Sequence, residues 1–200
     1  NADIIDCIFD NHTGTNLIVD IQGTGTVTNS NFTNNNVSGQ LGGTLRVVGE
    51  NSKITDSIFE NNTAIRSAAI YTSGENTKIE NCNFTNNNAT NGDGGAIYVE
   101  GKNTQIIECN FSDNNANSGG AIFTYQDGTN ITNSKFTNNS AKNSGGAVFV
   151  GMEMYDTNID NCDFTNNSVG EGWGSGGAIF ISVDCMDSTI TNSNFTGNTA

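Results

Sequence analysis

The chain of 200 residues is long enough for one or two domains, but it holds 35 Asn, 24 Gly and no Pro. Its net charge of -14, with seven Lys and Arg, argues against nucleic acid and anionic membranes as partners, because both attract basic surfaces. The sequence contains no apolar run of about 18 residues, so we expect no membrane insertion of this segment. Such an acidic, lysine-poor composition is typical of an extracellular or cell-surface protein.

A repeat of about 25 residues runs through the whole chain. Each copy has an aliphatic residue, a Phe five positions later and, in seven of eight copies, an Asn three positions after the Phe. The Phe residues are Phe9, Phe32, Phe59, Phe84, Phe111, Phe136, Phe164 and Phe195. A Gly-Gly-Ala-Ile or Gly-Gly-Ala-Val quartet follows in four copies, while GGTL (42–45) and SAAI (67–70) are degenerate forms.

Short alternating strands with Asn and Gly corners at this period predict an all-β fold, a right-handed parallel β-helix of about eight coils of roughly 25 residues. Helical repeats of similar length need apolar residues at a 3.6-residue period, and the sequence has none. Because the chain starts and stops inside a repeat, we interpret residues 1–200 as a single β-helix segment of a longer repeat array.

Stacking of the coils predicts a structural role for most motif positions. The Phe residues should form an internal aromatic column, and the Asn residues a buried ladder of side-chain amides, as in cross-β stacks. His12, the sole histidine, takes the Asn position in the first copy as a hydrogen-bonding substitute. In the strand of the GGAI quartet, alternation turns the aliphatic residue inward, as at Ile97 and Ile122.

The next position of that strand faces outward and is the candidate binding surface. Its residues are Arg46, Tyr71, Tyr98, Phe123, Phe149 and Phe180. A contiguous apolar strip is normally an interaction site, and aromatic rings suit sugar faces or a partner protein. There are two alternatives to an exposed binding surface. A neighbouring chain or another domain covers the column, or the strand parity is inverted and these residues face inward. Trp173, in an enlarged loop before the last quartet, either joins this column or packs within its loop.

Carboxylates gather in the loops that follow this strand in the later coils. They are Asp127, Glu153, Asp156, Asp184 and Asp187. Such a set is a candidate calcium site, because calcium takes six to eight oxygen ligands. The spacing matches no known calcium loop, so a solvated acidic edge is the other reading, and we expect no cofactor.

Cysteine and asparagine supply two further sets of candidate residues. Four cysteines, Cys7, Cys82, Cys109 and Cys162, share one repeat position with serine, which predicts small, inward-facing free thiols. Many Asn-x-Ser/Thr sequences occur, and those whose Asn should point outward are the better glycosylation candidates. These are Asn31, Asn83, Asn110 and Asn194.

The Phe-x-x-Asn and Gly-Gly-Ala-Ile/Val motifs resemble the repeats of chlamydial polymorphic outer membrane proteins. They are still more similar to those of the Asn-rich adhesin-like proteins of methanogenic archaea. The resemblance covers essentially the whole chain and departs from the pattern at Phe9 to His12. It implies a cell-surface region that attaches to proteins or glycans of a host or neighbouring cell, without catalytic residues.

Two other functions compete with adhesion. A self-assembling extracellular filament could form head to tail, because an uncapped β-helix presents open strand edges at both ends. A polysaccharide lyase or hydrolase needs paired carboxylates, or calcium with a base. The chain holds two arginines, five lysines and one histidine, so it is poor in bases, and we expect no enzymatic activity.

Overall fold

The computed structural model describes residues 1–39, 42–170 and 174–200. Throughout these ranges the chain winds through four parallel sheets, and each coil adds one strand to each sheet in turn. No helix occurs in the described residues, so none could span a membrane. The described residues complete seven coils and add two strands of an eighth, slightly fewer than the predicted number of about eight.

The first and second sheets hold eight strands each. Those of the first sheet are Ala2–Ile5, Gly25–Thr28, Lys53–Thr55, Lys78–Glu80, Gln105–Ile107, Asn130–Thr132, Asn158–Asp160 and Thr189–Thr191. Those of the second sheet are Ile8–Asp10, Asn31–Thr33, Ile58–Glu60, Asn83–Thr85, Asn110–Ser112, Lys135–Thr137, Asp163–Thr165 and Asn194–Thr196.

The third and fourth sheets hold seven strands each. Those of the third sheet are Thr13–Gly14, Asn36–Val37, Thr63–Ala64, Asn88–Ala89, Asn115–Ser118, Ser140–Ser144 and Ser168–Val169. Those of the fourth sheet are Val19–Ile21, Leu45–Val47, Ile70–Thr72, Ile97–Val99, Ile122–Thr124, Val148–Val150 and Ile179–Ile181.

Equivalent residues of successive coils lie directly above one another. Phe59, for example, pairs with Phe32 on one side and Phe84 on the other. The rings of the Phe column stack with centroids 4.6 to 5.1 Å apart and planes within 8° of parallel. Buried Ile, Val and Leu side chains of the first and fourth sheets complete the core. The predicted internal aromatic column is therefore present.

The asparagine ladder uses every hydrogen-bonding group of its central amides. Asn114 Nδ2 donates to the Phe84 carbonyl (3.0 Å) in the preceding coil and to Asn139 Oδ1 (2.9 Å) in the next. Its Oδ1 accepts from the backbone N and Nδ2 of Asn87, both at 3.0 Å. His12 has an exposed side chain, and it is the backbone N–H of this residue that donates to Asn35 Oδ1 (3.1 Å).

Left-handed backbone explains the other Asn and Asp residues of the repeat. The residue before each ladder Asn, such as Asn34 or Asp113, has a φ between 54° and 59° in the non-glycine copies. A second column of such residues, including Asp56 and Asn81, turns the chain between the first and second sheets. Asn and Asp tolerate this conformation better than other residues with a Cβ, so the sequence places them at the corners.

Each glycine of the Gly-Gly pair is required for a different reason. Gly119 has a φ of +60°, and a Cβ there would lie 2.2 Å from the Ile122 carbonyl oxygen. A Cβ on Gly120 would lie 2.2 Å from the Gly146 carbonyl oxygen of the next coil. The degenerate SAAI copy places Ser67 at a φ of 51°, where its hydroxyl donates to the Ile70 carbonyl.

We expect Asn114→Ala to lower the free energy of unfolding by about 3 kcal/mol, because it leaves several buried groups of Phe84, Asn87 and Asn139 without partners. Urea titration followed by circular dichroism measures this change. Asn110→Ala is the matched control, since it removes an amide from the exposed side of the same coil and should cost less than about 0.5 kcal/mol. Equal losses in the two variants would contradict a stabilising role for the ladder.

Candidate interaction surface

The outward column of the fourth sheet has the predicted parity. Arg46, Tyr71 and Tyr98 are paired neighbours, flanked in each strand by inward residues that are buried. Ring centroids are 5.9 Å apart for Tyr71 and Tyr98 and 4.8 to 5.1 Å apart along Tyr98, Phe123, Phe149 and Phe180. The five aromatic residues therefore form one continuous external stack.

Much of this stack is covered by the chain itself. Tyr98 and Phe123 are each only 7% exposed, whereas Tyr71, Phe149 and Phe180 are half-buried. The Arg66 guanidinium carbon lies 5.0 Å from the Tyr98 ring centroid, and the Tyr125 ring lies 6.3 Å from that of Phe123. Side chains of the chain itself thus cover the centre of the column.

The stacking also limits what the column can bind. Neighbouring rings are within 21° of parallel, so each ring face inside the column is occupied by the next ring. Only ring edges point away from the sheet. A sugar that binds by lying flat on an aromatic face finds no free face between Tyr98 and Phe149, whereas apolar side chains of a protein can pack against ring edges.

An ion pair lies at the N-terminal end of the column. Arg46 donates from Nε to Asp20 Oδ1 (2.8 Å) and from an Nη to Asp20 Oδ2 (2.7 Å), and this hydrogen bonding lowers the pKa of Asp20. A cavity of about 220 Å³ adjoins the pair and is also lined by Thr15, Asn16, Leu17, Gly39 and Gly42. The two charges in its wall already satisfy each other, so they offer no unpaired charge to a ligand. Trp173 lies outside the described residues.

Sequence reasoning missed a group of polar residues beside the column. Asp93, in the loop that precedes Tyr98, is half-buried, and burial raises its pKa despite hydrogen bonds to Ser118 and the nearby Arg66. Tyr71 donates to Glu100, and burial together with this bond raises the pKa of Tyr71 to about 12. Arg66, Asp93 and Glu100 lie in loops of different lengths, so the repeat alone did not reveal these contacts.

The five carboxylates proposed as a calcium site do not form one. Within the described residues no three His, Cys, Asp or Glu side chains are grouped closely enough to hold a metal ion. Asp127 pairs with Lys102 (3.3 Å) and accepts from the Tyr155 backbone N–H (3.0 Å). The others have left-handed backbone, with φ from 56° to 59°, and Asp156 and Asp187 occupy the turn position of Asn51 in earlier coils.

Two turns between the fourth and first sheets are longer than the rest. Four earlier turns have five residues, at 48–52, 73–77, 100–104 and 125–129, whereas the last two have seven, at 151–157 and 182–188. In the short turns the last hydroxyl donates to a carbonyl three residues earlier, as Thr104 does to Gly101 (2.8 Å). The equivalent hydroxyls of Thr157 and Ser188 are buried without a partner. The enlarged turns therefore lack a bond that closes the others.

The cysteines are free thiols, as the sequence predicts. Cys82, Cys109 and Cys162 are buried in the shared column, and each donates to the carbonyl two residues earlier at 3.2 to 3.3 Å. Burial raises the pKa of Cys162 to about 11, which makes this thiol a poor nucleophile at neutral pH.

The glycosylation candidates lie on the outside of the second sheet. Asn83, Asn110 and Asn194 are exposed, and Asn31 is half-buried. Asn110 Nδ2 donates to Asn83 Oδ1 (2.9 Å), and Asn194 Nδ2 donates to Asp163 Oδ1 (2.8 Å). Their glycosylation stays a prediction.

Stacked parallel coils with internal ladders define a β-solenoid repeat protein. The family model described as "Right handed beta helix region" matches residues 1–148 and 83–200, two overlapping matches that together span the chain. The chain belongs to this family, which confirms the predicted right-handed parallel β-helix. Comparisons with curated proteins and with solved structures each give no match.

We expect Phe123→Ala to lower the free energy of unfolding by about 3 kcal/mol, because this nearly buried ring packs between two others. Phe180→Ala should cost about half as much, since Phe180 is half-buried and stacks on Phe149 alone among the described residues. Urea titration of both variants tests this order. A loss below about 1 kcal/mol for Phe123→Ala would mean that the column does not stabilise the fold.

We expect Asp93→Asn to stabilise the protein increasingly as the pH rises. Because burial raises the folded-state pKa of Asp93, its contribution is fully present below the ordinary pKa and is lost as the pH rises through the higher, folded value. Asn stays neutral and can keep the bonds to Ser118. Thermal midpoints of both proteins from about pH 3 to about pH 7 measure the effect. A constant difference across this range would contradict it.

Proposed function

We propose that this chain is a cell-surface, adhesin-like β-helix scaffold that attaches to proteins of a host or neighbouring cell. The observation that carries the proposal is the external aromatic stack, whose half-buried members Tyr71, Phe149 and Phe180 present ring edges to solvent. The resemblance of the repeats to those of methanogen adhesin-like proteins supports the same role and an extracellular location.

The ring geometry favours a protein over a glycan as the attachment partner. Inside the stack the ring faces are occupied, and edges suit the packing of apolar side chains. A catalytic role has less support, because within the described ranges no cluster of His, Cys, Asp or Glu could hold a metal ion and burial raises the pKa of the core thiols Cys109 and Cys162.

Beads coated with the purified protein test this proposal on intact microbial cells. We expect the cells to retain the beads, protease treatment of the cells to abolish retention, and periodate oxidation of their glycans to leave it unchanged. A Phe149→Ser, Phe180→Ser double variant should reduce retention at least about tenfold, since anchor residues carry most of the binding energy of an interface.

Ile107→Ser is the matched control, because Ile107 is a half-buried outward residue on the first sheet, away from the column. It should retain beads as the unmodified chain does, and circular dichroism should show that both variants are folded. Retention no higher than that of albumin-coated beads would contradict an adhesive role. Release of unsaturated sugars from polygalacturonate or alginate would instead support the lyase alternative.

A further inference from the structure

A second surface, which adjoins the aromatic column at Tyr125, gathers exposed apolar side chains on three successive turns between the fourth and first sheets. We call it the turn patch, and its members are Tyr125 (42% exposed), Met152 (51%), Tyr155 (42%), Val183 (64%) and Met186 (56%). The other large, exposed apolar residues among those described lie in the first or last coil, except Ile58, which lies on the second sheet in an inner coil.

Backbone hydrogen bonds hold the three turns against one another. Gly128 N–H donates to the Tyr155 carbonyl (2.9 Å), and Glu153 N–H donates to the Val183 carbonyl (3.2 Å). Tyr155 and Met186 form a parallel bridge between the last two turns. The Tyr125 ring lies over Gly151, where a Cβ would be 2.4 Å from its Cδ2. These contacts bring the apolar side chains onto one strip of surface.

The exposure of three patch members does not depend on where the sequence begins or ends. Tyr125, Met152 and Tyr155 all lie in turns that have a further turn on either side. The turns above and below therefore leave these three side chains between 42% and 51% exposed.

The sequence departs from the repeat at this surface. Turns 48–52, 73–77 and 100–104 are short and carry Glu or Lys near their apex, whereas the two seven-residue turns carry all three methionines of the chain. The same two turns contain the unpartnered hydroxyls of Thr157 and Ser188. The seven-residue turns thus carry large, flexible apolar residues beside their charged ones, where the turn lacks an internal bond, and a packing role inside the fold does not explain the exposed ones.

Carboxylates surround the patch and give it a charge preference. Four of them, Glu153, Asp156, Asp184 and Asp187, are exposed and form no ion pair within the part of the chain that the structure describes. Asp127, the fifth, pairs with Lys102. Apolar patches with a polar rim mark protein interaction sites, and methionine adapts to partner surfaces of varied shape. A partner that matches this rim must be positively charged.

We propose that the turn patch docks a cationic amphipathic segment of a partner protein. Its apolar side chains pack on Tyr125, Met152 and Tyr155, and its Lys or Arg side chains face the carboxylates of the rim. This docking does not depend on the adhesive role proposed above. Its test uses Met152 and Tyr155, which lie in a turn, whereas the test of adhesion uses Phe149 and Phe180 in the strands of the column.

A labelled synthetic peptide with one Leu face and one Lys face serves as the probe, and fluorescence anisotropy measures its binding to the purified chain. We expect saturable binding that weakens with added salt, since exposed charges are screened. A peptide with Glu in place of Lys, and one with Ser in place of Leu, should each bind at least about tenfold more weakly, because each lacks half of the complementary surface.

Two double variants of the patch, each with its own control variant, separate binding by the patch from general attraction to an acidic protein. Met152→Ser with Tyr155→Ser should weaken binding at least about tenfold, whereas Ile58→Ser, an isolated exposed residue, should not change it. Asp156→Asn with Asp187→Asn should weaken binding and its salt dependence without unfolding, because Asn is native to this turn position in other coils. Asp6→Asn with Asp56→Asn makes the same charge change at another corner and should have little effect.

Several results would overturn the proposal. Equal weakening by the two Asp→Asn pairs would reduce the binding to non-specific electrostatics. Unchanged affinity of the Met152→Ser, Tyr155→Ser variant, with its thermal midpoint preserved, would show that the apolar residues contact no peptide. Self-association of the unmodified chain in sedimentation, lost in that variant, would assign the patch to a second copy of the chain instead.

Discussion

The buried asparagine ladder is the interaction on which the rest of the structure depends. Each central amide joins three coils, because its nitrogen bonds the Phe carbonyl of the coil before and the amide oxygen of the coil after, as Asn114 does with Phe84 and Asn139. No polar group of the amide is left unpaired, so burial carries no uncompensated cost. The ladder thereby matches and reinforces the coil spacing of the four parallel sheets, at which the Phe rings stack 4.6 to 5.1 Å apart.

The sequence predicted those parts of the fold that recur from coil to coil. Phe136 in the core, Asn139 in the ladder and the outward parity of Phe149 follow from alternation and from a period of about 25 residues. The coverage of Tyr98 and Phe123 did not follow, because Arg66 and Tyr125 belong to loops whose lengths vary from coil to coil. A periodic pattern specifies the columns, while contacts between irregular loops need coordinates.

The acidic residues show how one residue type can suggest the wrong chemistry. Asp156 and Asp187 were calcium candidates because they recur along one edge. Their φ values of 57° and 56° give another reason for their presence, since Asn51, Asn76 and Asn103 have the same left-handed backbone in earlier coils. Backbone conformation selects Asn or Asp at such corners. The negative charges of Asp156 and Asp187 therefore follow from the backbone conformation of the turn. Their role in docking belongs to the proposal for the turn patch.

Residues that depart from the repeat therefore lie at positions that the stability of the coil stack does not determine. The ladder and the Phe column keep their residues in nearly every coil, because a change there leaves buried groups unpaired or a cavity in the core. A turn makes no such demand, so its residues can change without disturbing the stack. The seven-residue turns combine a lost hydroxyl bond at Thr157 with exposed side chains at Met152 and Tyr155. Because exposed apolar patches mark interaction sites, this combination supports the docking proposed for the turn patch.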